Sequence, residues 1–240
     1  MASQSPPPAA EAQAPGRTIV FFGPSITAPE VSGLVVATHA PPVRRGDLAA
    51  LDDDYEVIVI LDGEFGQNLS VSPKEILAVL GRGRTVIGAA SMGALRASEL
   101  DRYGMIGVGW VYDRFRRSDV RNDADVALVY SPFDCKPMTV PMVDLEYWLE
   151  MACAAGLIGR SERAGLLKAA RRIFFADRTT DRLMEALRGA VGGDTLDALL
   201  AHSGGAIPSV KSIDAVAALR LATSSRHVAG GVAPGIADDR

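Results

Sequence analysis

The run Glu56-Val-Ile-Val-Ile-Leu61 constrains the fold of this 240-residue chain more than any other stretch. Five successive apolar residues, four of them β-branched, leave no polar side for water. Such a segment fits the central strand of a parallel sheet with both faces covered by helices. Further short apolar runs at Thr18–Phe22, Gly33–Thr38 and Thr85–Ala90 read as strands. Helical spacing appears at Pro73–Leu80, whose proline sits in the first turn where its missing N–H is not needed, and at Met92–Leu100. Leu48–Leu51 reads as a short helical connection. Strands alternating with helices predict an α/β fold: a mostly parallel central sheet flanked by helices and joined by right-handed crossovers.

Beyond residue 104 the pattern changes. Gly104-Met-Ile-Gly-Val-Gly109 reads as a glycine-rich loop without the strand-to-helix setting of a dinucleotide fingerprint. Ala124–Tyr130 is a further candidate strand. The helical period then dominates, at Val143–Ala155, Ser161–Phe175, Thr180–Ala190 and Asp214–Leu221, and predicts a helical C-terminal region. The expected organisation is a disordered Pro/Ala/Gln-rich tail at 1–16, an α/β core domain at 17–142, the helical region at 143–222 and a flexible tail at 223–240.

A hydrophobic content of 48% with 22% charged residues describes an ordinary globular chain. The net charge of −4 gives no electrostatic footing for nucleic acid or an anionic membrane. No run of about 18 apolar residues is present to span a bilayer. The first residues lack the basic-then-apolar order of a secretory signal. Cys135 and Cys153 have neither metal spacing nor the look of a disulfide framework, so a reduced, cytoplasmic setting is expected. In Asn122-Asp-Ala-Asp125, two carboxylates and an amide are too few for a metal site, and neither metal nor cofactor is expected.

Chemistry concentrates in Thr85-Val-Ile-Gly-Ala-Ala-Ser-Met-Gly-Ala-Leu-Arg-Ala-Ser-Glu-Leu100, a strand running into a helix with Ser91 at the corner. Open α/β sheets bind ligands at the carboxyl ends of their strands. There the first N–H groups of the helix, those of Met92 and Gly93, can hold an anion or an oxyanion. Ala89-Ala90-Ser91-Met92-Gly93 approaches the nucleophile-elbow pattern, with alanine at the first glycine position. Ser91 therefore reads either as a nucleophile or as a helix cap.

Four loops should reach the same edge: Gly23–Ser25, His39–Asp47, Asp62–Gln67 and Ala90–Gly93. Asp62, following a buried strand, can orient a base, bind a cation or cap a turn, and Gly63 can offer a second oxyanion donor. Arg44, Arg45 and Asp47 lie on a loop stiffened by Pro41-Pro42, and guanidinium groups suit carboxylate or phosphate recognition. With Gly23, Ser25 and Arg96 they complete the candidate substrate-binding set. Of His39, His202 and His227, His39 alone falls near this edge. Lys74 is an alternative base if desolvated. The base stays unassigned.

Taken together, these segments resemble the TfuA-like family. The resemblance rests on Phe22-Gly-Pro-Ser-Ile26, Pro41-Pro-Val-Arg-Arg-Gly-Asp47, Leu61-Asp-Gly-Glu-Phe65, Val71-Ser-Pro-Lys-Glu-Ile76, the Gly88–Leu100 block and Gly104–Gly109, with weaker similarity onward into Val210-Lys-Ser-Ile-Asp-Ala215. Many relatives have histidine where this chain has Pro73, so no base role passes to that position. The resemblance implies a partner of YcaO enzymes, which use ATP to activate a backbone amide so that sulfur replaces its oxygen. It implies thioamide formation on a ribosomal precursor peptide or a protein; because free sulfide is toxic and scarce, a sulfur-carrier protein ending in a thiocarboxylate is the expected donor. Release of that sulfur is acyl transfer, for which Ser91 would be the nucleophile. The alternatives are a non-catalytic docking partner of YcaO and a small-molecule serine hydrolase.

Overall fold

A computed structural model describes residues 17–117 and 122–229. Among the described residues, five strands form one sheet: β1 (Arg17–Phe21), β2 (Thr38–Ala40), β3 (Tyr55–Ile60), β4 (Thr85–Ala89) and β5 (Ile106–Val108). They lie in the order β2-β1-β3-β4-β5 and every pairing is parallel. This is a doubly wound order, and its direction reverses between β1 and β3, where such sheets open a crevice for ligands. Along β3 the side chains alternate between two cores. Ile58 and Ile60 join Ile19, Phe21 and Val86 on one face, while Val57, Val59 and Leu61 join Val20 and Ile87 on the other.

The first face is covered by α2 (Pro73–Leu80), α3 (Met92–Leu100) and α4 (Trp110–Arg117). The second is covered by α1 (Ala28–Leu34) and by α9 (Val210–Ala229), whose Ala215, Ala218, Leu219 and Ala222 are wholly buried there. Small residues on α9 let it lie close to the sheet. Between them α5 (Met142–Ala154), α6 (Arg160–Arg171), α7 (Thr180–Val191) and α8 (Gly193–His202) surround a separate core centred on Trp148, Leu149 and Leu187. The α/β architecture and helical C-terminal region expected from the sequence are present, with the last helix returned to the sheet.

Several local expectations are corrected. Gly33–Thr38 is not a strand: the Thr27 N–H and hydroxyl both donate to the Glu30 carboxylate, and this cap with Pro29 in the first turn makes 28–34 helical. The strand begins only at Thr38, after an exposed Val36. Leu48–Leu51 forms no helix; Ala49 and Ala50 N–H both close turns onto the Gly46 carbonyl. The Gly104–Gly109 segment contains β5 rather than loop alone. Ala124–Tyr130 pairs only through a single bridge from Tyr130 to Pro137, because a 3-10 turn capped by Asn122 occupies its start. The spacing missed α4 and α8. The 1–16 tail and residues 230–240 lie outside the described residues, while the chain up to Ala229 continues α9.

Polar contacts join the helical region to the sheet. Asp125 accepts from Arg114 at 2.7 Å and Arg171 at 3.1 Å, and Glu146 pairs with both arginines, so the Asn122–Asp125 acids have a structural employment. Asp144 on α5 accepts the N–H groups of Val210 and Lys211 and so caps α9. Asp214 on α9 in turn accepts the N–H groups of Trp110 and Val111 and caps α4. Burial raises each carboxyl to about 6, against the opposing pull of these donors.

The folded protein thus retains these two protons to about pH 6, whereas an unfolded carboxyl loses them near pH 4. Their contribution to stability is complete below the unfolded value and disappears as pH rises to about 6. In urea unfolding from pH 4 to 7, the Asp144→Asn/Asp214→Asn protein should lack this decline; an unchanged slope refutes the assignment. A second expectation concerns Gly93, where a Cβ would meet the Ile60 carbonyl oxygen at 1.7 Å. Gly93→Ala should cost about 3 kcal/mol or more by overpacking. Gly165→Ala, in open space on α6, should gain about 0.5–1 kcal/mol.

Candidate functional site

The residue that organises the crevice is Asp62, just beyond β3 and 3% exposed. Its Oδ2 accepts the N–H groups of Gly23 at 2.9 Å and Ser25 at 3.0 Å, and its Oδ1 accepts the Ser25 hydroxyl at 2.6 Å. Its main-chain carbonyl accepts the Val43 N–H, which ties the proline-stiffened loop to the same point. Lys211, at the start of α9, brings its ammonium to 3.8 Å from Oδ1 and donates to the Val126 carbonyl at 3.2 Å. Lys211 is 2% exposed. A buried carboxylate with several donors and a buried ammonium facing it is the arrangement that offsets the desolvation of both charges.

The corner at Ser91 is tight. Ala90 carries the left-handed backbone angle, φ +65°, one residue before Ser91, a conformation that costs an alanine about 1–3 kcal/mol. The Ser91 N–H reaches back to the Ala89 carbonyl at 2.7 Å and the Leu61 carbonyl at 3.2 Å. Ser91 stands at the N-cap of α3, yet its hydroxyl makes no capping hydrogen bond, so the cap reading does not describe its side chain. Gly88 and Gly93 allow α3 to pack directly on β3 and β4, since a Cβ at either would collide with main chain. The Gly93 N–H is turned to the Leu61 carbonyl at 3.4 Å. The N–H groups of Met92 and Gly63, by contrast, have no protein acceptor among the described residues. Gly63 also stands where a Cβ would press on Met92 and Val43.

A cavity of about 160 Å³ opens on this corner. Ser91, Asp62, Gly63, Pro24 and Pro42 border it from the sheet edge. Val126, Leu128, Tyr130, Phe175 and Lys211 close it from the opposite side. Tyr130 donates to the Glu64 carboxylate at 3.0 Å, and burial, with that hydrogen bond, pushes its hydroxyl up to about 12. It stays protonated across the ordinary pH range.

The four loops named from the sequence thus contribute unequally. Ser91, Asp62 and Gly63 border the cavity, whereas Met92 and Gly93 do not, the Met92 side chain being packed in the core beneath α3. Gly23 and Ser25 flank Pro24 in its wall, but their N–H groups are taken by Asp62. Arg44 does not border the cavity but pairs at 3.3 Å with Glu64, which does, and Asp47 accepts the Arg44 N–H. Arg45 is turned to the Gln67 carbonyl, and Arg96 to the Val71 carbonyl and Glu99. His39 lies exposed on β2, edge-on to Phe22. Lys74 is exposed in the first turn of α2. Neither borders the cavity. The residues that sequence reasoning missed are Lys211, Tyr130 and Phe175. Lys211 lies in Val210–Ala215, where the resemblance had a weaker extension.

A five-stranded parallel sheet with a serine at a strand-to-helix corner, bordering a small cavity at the sheet's carboxyl edge, defines a doubly wound α/β protein. A family model described as TfuA-like protein matches residues 62–179, and the chain belongs to that family. The matched span begins at Asp62 and includes Ser91 and the Val126–Tyr130 wall; Lys211 lies beyond it. Family membership supports, in general terms, a role as partner of a YcaO enzyme. No curated protein matches the chain. Among the described residues, no helix is long and apolar enough to cross a membrane.

Asp62 should prove indispensable to this geometry. Asp62→Ala strands two N–H groups, a hydroxyl and a buried ammonium, at a cost of about 3–5 kcal/mol. Adding Lys211→Met should recover part of that loss in equilibrium unfolding, and strict additivity of the two substitutions would show the charges are not coupled.

Proposed function

We propose that this protein serves a YcaO enzyme in ATP-dependent backbone thioamide formation, by releasing sulfide from the C-terminal thiocarboxylate of a sulfur-carrier protein, with Ser91 as nucleophile. The observation that supports the reading is a cavity bordered by Ser91, by Gly63 with an unpartnered N–H and by the buried Lys211, with the unpartnered Met92 N–H next in the chain after Ser91. The Lys211 ammonium and the N-terminus of α3 favour an anionic terminus. Ser91 Oγ attacks the thiocarboxylate carbon. The Gly63 and Met92 N–H groups are the candidate donors for the oxygen that gains charge. The carbon–sulfur bond then breaks, and the sulfur leaves with the serine proton as hydrosulfide. Water cleaves the seryl ester, returning the hydroxyl and a carrier carboxylate. The YcaO enzyme would use the sulfide on a precursor peptide or protein.

The test needs no YcaO. The protein is incubated with a thiocarboxylated carrier and the sulfide is measured. Ser91→Ala should lower release by about a thousandfold or more while leaving association with YcaO intact. Release by Ser91→Ala at the wild-type rate overturns the serine mechanism. Absence of release by the wild type, with YcaO still stimulated, favours the docking role.

A further inference from the structure

A second, larger cavity of about 360 Å³ lies against the first, and Pro24, Leu128 and Lys211 border both. Its volume falls in the range of ordinary ligand sites. Its walls come from the 137–141 segment, from α7 and from the loop before α9, and Val140, Met184, Leu200 and Ile207 make much of it apolar. Asp144 borders it, but that carboxylate is engaged by the Val210 and Lys211 N–H groups.

We propose that this outer cavity seats an apolar side chain of the acyl donor, which enters as an extended peptide C-terminus with its reactive anionic end in the Ser91 cavity. The inference rests on the reading of Ser91 as the attacking residue and deepens it by naming what the donor must look like. Three observations carry it. The inner cavity, at about 160 Å³, has room for the terminal group and a residue of little or no side chain, so the preceding residues lie outside it. The outer cavity adjoins it, with Pro24, Leu128 and Lys211 in the walls of both. At the shared wall, Lys211 is buried with one hydrogen bond among the described residues, to the Val126 carbonyl, while Asp62 at 3.8 Å is beyond hydrogen-bonding range. An ammonium offers three donors. Its charge and remaining N–H groups match a carboxylate or thiocarboxylate terminus.

The experiment uses the full chain and synthetic peptides of about six residues, ending either in a thiocarboxylate or in an ordinary carboxylate. Binding of the carboxylate peptides is measured on the Ser91→Ala protein, and sulfide release from the thiocarboxylate peptides on the wild type. Glycine at the last position should be preferred over valine by tenfold or more. One upstream position should tolerate leucine and lose binding tenfold or more with aspartate. Ala206→Trp, on the exposed loop bordering the outer cavity, should raise KM at least tenfold with kcat within about twofold. Met184→Trp serves as a second filling variant, with circular dichroism confirming that each is folded. Folded filling variants with unchanged KM and unchanged carboxylate-peptide binding overturn the proposal while leaving Ser91 chemistry standing. Conversely, wild-type sulfide release by Ser91→Ala, together with weakened binding in Ala206→Trp, removes the nucleophile and supports the peptide site.

Discussion

The carboxylate of Asp62 is the contact on which the rest of the crevice depends. It sits where the strand order reverses, so the loops after β1 and β3 diverge there and need an internal tether. Two N–H groups and a hydroxyl from Gly23–Ser25 converge on it, and the only nearby cation among the described residues that border the cavity is Lys211. A carboxylate this deeply buried is tolerable because hydrogen bonds and an opposite charge replace its water. The result is a rigid floor beneath Ser91, with Gly63 fixed next to it by the chain direction alone.

The same logic extends through α9. Its N-terminus is held by Asp144 from α5, and its own Asp214 holds the N-terminus of α4. Each helix is therefore capped by a side chain far away in sequence, which couples the sheet, the helical region and the last helix into one packing problem. That coupling delivers Lys211 to the cavity by a route that does not depend on a flexible loop. A catalytic or binding group placed on a regular element with a fixed neighbour keeps its geometry better than one on a mobile segment. The helical region contributes through packing as well: the cavity's far wall, from Val126 to Tyr130 and at Phe175, flanks α5 and α6 in sequence and rests on the Asp125–Arg114–Glu146–Arg171 cluster.

Much of the sheet was legible because its signals are local. The apolar run at 56–61, the proline in the first turn of α2 and the small residues around Ser91 each dictate structure within a few residues. The failures have a common cause as well. Gly33–Thr38 is apolar, yet a capping box upstream makes its first two residues the end of α1 and leaves the strand to begin at Thr38, and β5 hides in a glycine-rich segment because β4 supplies its partner. Ser91 and Asp62 were readable from strand ends. Lys211 was not, since a lysine early in a helix looks solvated until the helix is seen to pack its start against another strand's terminus. Long-range caps and a buried lysine are facts of tertiary contact, and no period in the sequence records them.

On the proposed function, the use of serine at this corner follows from leaving-group chemistry. In a tetrahedral adduct of serine with a thiocarboxylate, the hydrosulfide is the weaker base than the serine alkoxide, so collapse expels sulfur and retains the ester. A cysteine would form a thioester and would face its own thiolate as a competing leaving group of similar basicity, making the step nearly reversible. Cys135 and Cys153 do not border the cavity. A thiocarboxylate also carries most of its charge on sulfur and leaves the carbonyl carbon more open to attack than a carboxylate does. The product carboxylate regains full resonance and full charge on oxygen, so a site that holds one reactive anion beside Lys211 discriminates by reactivity more than by affinity. On the proposed reading, the corner at Ser91 works through its hydroxyl, a neighbouring amide donor and one buried cation, and Ser91, Gly63 and Lys211 border one small cavity.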